Sequence, residues 1–377
     1  MITLYTIDSA GRTRNWNCRL AEKDGVFGIE YSDGIVGGKQ KDYTFKEAKE
    51  KNVGKNNYLS PEAQSHEMLE QETGKKERKN YFRTVEDAKT KKLFLPMLAH
   101  KYSDHGKNLI FPAGSQVKLD GARCNVYYCP VAKEVVIRTR TGKAYNSVPH
   151  ILEGLREFCE SNKSIVLDGE LYNHDFRNDF ETIMSLVRQS KPTENDLERS
   201  SKLVQFHVYD VYVPLRTGMP FKERMNLILS MADHMPKCVV LVPTTVVNDV
   251  THLDSLQEEY LEDGYEGQMV RGMESVYKDD GRSKDLLKRK IFIDDEFPIV
   301  RVEEGEGAWK GCAKRVIIKL PDGREQGTGI DGNFAVNRER FENRDELVGK
   351  LATVRFFRFT KDGKLYIPVT KDIARHD

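Results

Sequence analysis

The stretch Lys118-Leu119-Asp120-Gly121-Ala122-Arg123 constrains this chain more than any other feature. Apolar residues alternate around it, at Val117 and Leu119 and again at Cys124, Val126 and Tyr128, a period of two that predicts one half-buried strand over 117–128. A lysine at the head of such a strand projects from rigid backbone and, once uncharged, is a nucleophile. Read alone, the run is equally a charged surface turn, because Asp-Gly is a common hairpin signal.

The surroundings supply a context. Strand-like runs follow at 134–140, 164–171, 203–213, 239–246, 265–271 and 285–292, alternating with amphipathic helical patterns at 147–161, 179–189, 221–235 and 252–263. The first of these helices starts near Ser147 with a proline in its first turn, and it spaces Ile151, Leu155 and Phe158 for burial on one face. Residues 93–293 are therefore expected to form an α+β domain on antiparallel sheets. Residues 1–82 read as a separate small α+β module, with strands at 2–7, 14–20 and 26–31 and a glycine-rich turn from Asp33 to Gln40. Ser60-Pro61 then opens a polar helix running toward Lys79. Over 294–377, short strands at 298–304, 313–320, 350–359 and 364–369 are divided by Pro-Asp-Gly and Lys-Asp-Gly turns, the pattern of a small all-β domain.

Composition narrows the class. A length of 377 residues suits two or three domains, and 38% hydrophobic residues suffice for their cores. No run approaches the roughly 20 apolar residues that span a bilayer, and the opening residues lack a signal-peptide layout. The expectation is a cytoplasmic protein with no membrane partner. Cysteines at 18, 124, 129, 159, 238 and 312 form no Cys-x-x-Cys pair, which argues against both a zinc module and a disulfide framework. A net charge of +1 is weak attraction for a polyanion. Basic islands at Lys75–Lys79, Lys89–Lys92, Lys284–Lys290 and Lys310–Arg315 qualify that, although each alone reads first as a solvated face.

Downstream of the Lys118 run come, in order, Leu167-Asp168-Gly169-Glu170-Leu171, Phe206-His207-Val208-Tyr209-Asp210, Glu266-Gly267-Gln268-Met269-Val270-Arg271 and Leu287-Lys288-Arg289-Lys290. The ordered set resembles motifs I, III, IIIa, IV and V of the covalent nucleotidyltransferases, which include ATP-dependent DNA ligases, RNA ligases and mRNA capping enzymes. Within them the chain resembles the compact, bacteriophage-like ATP-dependent DNA ligases. The resemblance implies an ATP-grasp-like nucleotidyltransferase domain over 93–293 and an OB-fold β-barrel over 294–377. The N-terminal module resembles the WGR domain, a small DNA-binding fold, through Trp16, Gly37-Gly38-Lys39-Gln40 and Lys79-Asn80-Tyr81-Phe82, with Asp33-Gly34-Ile35 standing where Gly-Arg-Ile is usual.

Several site residues carry a physical argument of their own. Lys288 and Lys290 point to one face of a strand and could contact an α-phosphate while lowering the pKa of Lys118 by like-charge proximity; alone they also fit an edge strand's solvated lysines. Glu170 and Glu266 stand beside glycines, which let a ligand approach the backbone, and carboxylate oxygen suits Mg²⁺. Glu266 is read as a metal ligand; Glu170, by the resemblance, holds the ribose hydroxyls and supports catalysis, and is counted beside Glu266 at the metal. Tyr209 fits core packing by itself and matches the family's purine-stacking position. By resemblance, Gln116 reads the purine edge, Arg123 and Arg140 grip ribose or the acceptor's 5′-phosphate, and Arg375 closes over the β- and γ-phosphates.

The function so implied is ATP-dependent sealing of nicked double-stranded DNA by a monomer, through AMP on Lys118, with Mg²⁺ (or Mn²⁺ in its place). Two alternatives stand beside it: an RNA ligase or GTP-dependent capping-type enzyme, and a non-catalytic nucleic-acid-binding protein. The intact Lys118, Glu170, Glu266, Lys288 and Lys290 speak against the last.

Overall fold

The computed structural model describes all residues except Ser9, Lys91, Lys92, Val131, Asn178, Lys361 and 374–377. The N-terminal module is a four-stranded antiparallel meander, Ile2–Ile7, Thr13–Lys23, Val26–Ile35 and Thr44–Glu47. The helix Pro61–Glu77 packs on it, capped by Ser60, whose hydroxyl accepts the Ala63 N–H. Leu4, Trp16, Cys18, Ile29 and Met68 form its core. A side chain ties the end of the module to the start of the central domain: Asn80 exchanges two hydrogen bonds with the Leu93 backbone, at 3.0 and 2.6 Å.

Two five-stranded sheets build the central domain. The first runs Val239–Leu241, Gln205–Tyr212, Val166–Tyr172, Ala122–Cys129, Glu134–Thr139. Helices Pro149–Ser161 and Phe180–Val187 bury Ile151, Leu155, Ile183 and Leu186 in its core. The second runs Thr245–Val247, Ala113–Lys118, Gly267–Gly272, Arg282–Lys290, Leu98–Lys101. Most pairings are antiparallel; 205–212 with 239–241 and 282–290 with 98–101 are parallel. Met97, Tyr127, Val166, Tyr212, Tyr277 and Leu286, drawn from both sheets and their connections, share one cluster.

The single strand expected over 117–128 is instead two strands in different sheets. The chain crosses between them at 119–121, where a Cβ on Gly121 would lie 2.4 Å from the Leu171 carbonyl oxygen. Alternation survives the crossing because both strands keep one buried face, so periodicity alone did not show the break. The run at 239–246 likewise divides between the two sheets.

Beyond Lys290, the strands Ile293–Glu304, Ala313–Lys319, Glu325–Ile330, Val369–Ile373 and Leu351–Phe356 close a barrel around Phe297, Val316, Ile318, Val354 and Phe356. The region is not all-β. Helix Phe334–Glu342, capped by the Asn333 side chain, and the short Arg344–Leu347 helix occupy one connection. Their even mix of polar and apolar residues left no helical stripe to read. Among the described residues, no helix is long and apolar enough to cross a membrane.

Candidate active site

Strand register assembles the site. In the second sheet, Gly267 pairs with both Lys118 and Lys290, while Met269 pairs with both Gln116 and Lys288. The four polar side chains thus come from two adjacent rows on one sheet. Glu266 precedes Gly267, and its N–H donates to the Lys118 carbonyl at 3.0 Å. Gly267 has φ +150°, and a Cβ there would meet the Arg289 carbonyl oxygen at 2.2 Å, so only glycine brings these strands so close.

Glu266 is buried, and its two carboxylate oxygens are taken separately, one by Lys118 Nζ and the other by Lys290 Nζ. Lys288 stands beside them. Burial, then the neighbouring Lys290 and Lys118 cations, lower its pKa.

The first sheet faces this row with Arg123 paired to Glu170. Arg123 forks onto the buried Asp168 at 3.0 and 2.6 Å, and Asp168 also accepts from Tyr277 Oη at 2.6 Å. The Glu170 carboxyl is pushed up to about 7, first by desolvation, with Lys118 and Arg123 acting in the opposite sense. Tyr209 sits in a β-bulge between Val208 and Asp210, an irregularity that re-aims a side chain. Its hydroxyl lies 3.2 Å from Glu170 Oε2, and Arg123 and Arg271 lie 5.3 and 5.5 Å from its ring centre.

Beneath this lies a buried ionic network. Asp210 accepts two bonds from Arg224 at 2.8 and 3.1 Å and one from Arg271 at 2.7 Å, and all three side chains are at most 2% exposed. Gln116 completes it: its carbonyl accepts from Arg271, while its amide donates to the Tyr209 carbonyl and to Thr244. The Gln116 amide is thus committed to protein partners on both sides.

Gln116, Lys118, Arg123, Arg140, Glu170, Tyr209, Lys288 and Lys290 all line one cavity of about 290 Å³, with Glu266 just behind the lysines. Arg375 lies outside the described residues. Arg271, Asp168, Asp210, Arg224 and Arg282 stand outside the sequence-based candidates. The first three lie inside the ordered motifs, whereas Arg224 and Arg282 gave no signal beyond their charge.

A divalent cation has few donors here. Among the described residues no group of three or more His, Cys, Asp or Glu side chains could hold one. Glu266 gives one oxygen to each of two lysines, so with Glu170 it would hold a cation only together with substrate phosphates that draw those lysines off, the mode in which one or two carboxylates share Mg²⁺ with phosphates.

Two facing sheets, with a lysine row on one and an arginine–carboxylate row on the other, enclose one polar cleft around Lys118. The family of the ATP dependent DNA ligase domain matches residues 96–290, about half of the chain, and the chain belongs to it: it is an ATP-dependent DNA ligase. The DNA ligase of Enterobacteria phage T6 is 25% identical over 330 residues, covering 72% of this chain and 67% of its own. That of Thermococcus onnurineus is 27% identical over 223 residues, covering 56% and 39%. A solved structure from work on Lig E DNA ligases shares the fold with TM-score 0.62 at 24% identity, over 75% of this chain and all of its own. A second, Pmar-Lig_PreS3, does so with TM-score 0.64 at 23% identity, over 83% and 73%.

Proposed function

We propose that Lys118 is the nucleophile of a three-step nick-sealing reaction in duplex DNA. In the first step a bond forms between Lys118 Nζ and the α-phosphorus of ATP, the bond to the bridging oxygen breaks, and pyrophosphate leaves. AMP then passes to the 5′-phosphate at the nick, and the 3′-hydroxyl attacks that phosphate to close the strand and release AMP. The observation that carries this reading is the Lys118–Glu266–Lys290 cluster at the floor of the cleft. It holds the amine in place beside cations suited to phosphate.

Within this reading, Lys288 and Lys290 bind the α-phosphate, Glu170 takes the ribose hydroxyls, and Tyr209 supports the purine from its bulge. Arg123 anchors the ribose side through Asp168, and Arg140 meets the acceptor phosphate at the rim. Gln116 acts through Arg271 and the Tyr209 carbonyl, because its own amide is occupied. Arg375 contacts the outer phosphates. Glu266, with Glu170, would hold Mg²⁺ against the phosphates, where the ion neutralises developing charge. The barrel is read as an OB-fold and residues 1–82 as a WGR-like DNA-binding module, with the monomer acting on nicked DNA in the cytoplasm.

The test is incubation of the full chain and Lys118→Ala with Mg²⁺ and α-labelled ATP or GTP, followed by a chase with 5′-phosphorylated nicked DNA. Label from ATP alone, absent in the variant and discharged as nicks close, is the expected result. Label from GTP would move the protein to capping chemistry, and label retained by Lys118→Ala would remove that lysine from its role.

A further inference from the structure

A cavity of about 320 Å³ lies between the helix and the sheet of the N-terminal module, lined by Trp16, Tyr31, Asp33, Lys46, Glu72 and Lys76. Each of its two carboxylates is shared by two cations: Asp33 by Arg14 and Lys41, both at 3.1 Å, and Glu72 by Lys46 and Lys75, at 3.2 and 2.9 Å. Among the described residues no carboxylate pairs with Lys76. Its Nζ lies 5.4 Å from the Trp16 ring centre and 4.7 Å from that of Tyr81. Ring faces offset part of the cost of desolvating a cation, but they are no substitute for an oxygen acceptor to the three ammonium donors. Burial lowers the Lys76 pKa, with the nearby Asp33 charge acting against it. The cavity is therefore short of negative charge around one half-buried amine.

Lys46 belongs to Thr44–Glu47, a strand at the edge of the sheet. It pairs with the core residue Ile29 and so shares the helix-bearing face, while Phe45 and Glu47 project to the opposite face. The Ala48 N–H donates to the Phe27 carbonyl at 2.8 Å. Antiparallel alternation from that bond turns the backbone groups of Thr44 and Lys46 toward the sheet and those of Phe45 and Glu47 away from it. Among the described residues no other segment bonds to that outer side. An extended chain added there would set every second side chain beside Lys46, at the cavity.

We propose that this edge and cavity form a docking site for an extended acidic segment of a partner protein, which adds as a further strand beside Thr44–Glu47 and places a glutamate or aspartate carboxylate on Lys76 and Lys46. Main-chain bonding along the edge holds any extended chain, and charge complementarity at the cavity selects an acidic one. The inference gives the module a protein partner and stands independently of the chemistry at Lys118.

The experiment titrates the full chain into a short fluorescein-labelled peptide of alternating glutamate and threonine and follows its anisotropy. Lys76→Gln removes the cation at nearly constant length. Glu47→Pro removes one outward N–H, at a place where an edge strand accepts proline. Each variant should bind the peptide about tenfold more weakly or worse with the thermal stability of the parent, and a counterpart peptide of alternating lysine and threonine should not bind. Failure of the parent to bind the glutamate peptide, or parental affinity in Lys76→Gln, would overturn the proposal. Parental affinity in Glu47→Pro alone would overturn strand addition. Displacement of the peptide by intact duplex DNA would overturn the protein partner in favour of nucleic acid.

Discussion

Asp120, two residues after Lys118, lies 3.0 Å from a guanidinium nitrogen of Arg358, on the barrel. The Arg358 guanidinium also sits 5.6 Å from the Phe180 ring centre and 5.2 Å from that of Tyr366, and Tyr366 itself packs against Phe180 at 5.6 Å. The barrel therefore touches the central domain beside Lys118. Burial, then the Glu266 charge, raise the Asp120 pKa to about 6, with Arg358 opposing them.

If this contact holds the two domains together, Arg358→Ala should free the exposed linker Ile291-Phe292 between the 282–290 strand and the barrel. We expect trypsin to cut after Lys290 several-fold faster in the variant, and nick sealing to fall about tenfold or more because closure completes such a site. Cleavage and sealing at parental rates would show that the pair holds nothing.

Glu170 gives a pH dependence. Its folded pKa of about 7 lies above the ordinary 4.5, so the folded state holds a proton that the unfolded state has already lost. Stability from this group is complete below about 4.5 and declines as pH rises to about 7. Glu170→Gln, which stays neutral, should therefore raise Tm at pH 8 by about 2–4 °C and much less at pH 5, while impairing adenylation. An equal gain at both pH values would mean that the ionised carboxylate is not the cause.

The Asp210 carboxylate is shared by two buried guanidiniums. Its removal leaves both without their anion in a site that excludes water, a loss on the order of 3–5 kcal/mol. Asp210→Ala should show this in denaturant unfolding, whereas replacement of the exposed Asp254 partner of Arg289 should cost under about 1 kcal/mol. Similar midpoints for the two variants would refute the network's structural role.

The residues proposed to carry the chemistry were legible in the chain through the ordered motifs, with a glycine neighbour or a strand position giving each a physical reason besides. Lys118, Glu170, Glu266, Lys288 and Lys290 stood out through that resemblance, and the structure brings them around one cleft. Local signals also placed the Ser60 cap and the helix it opens, since capping depends on neighbours a few residues apart.

What the chain alone could not show depends on contacts between distant segments. The crossing at Gly121 arises from the close approach of Leu171, and the aim of Tyr209 from a bulge against the 166–172 strand. The commitment of Gln116 comes from Arg271, 155 residues away. Periodicity reports which face of a strand is buried, not which sheet receives it. Sequence therefore determined which side chains are candidates for the chemistry, and tertiary structure decided their partners, because a partner is fixed by register and burial rather than by local propensity.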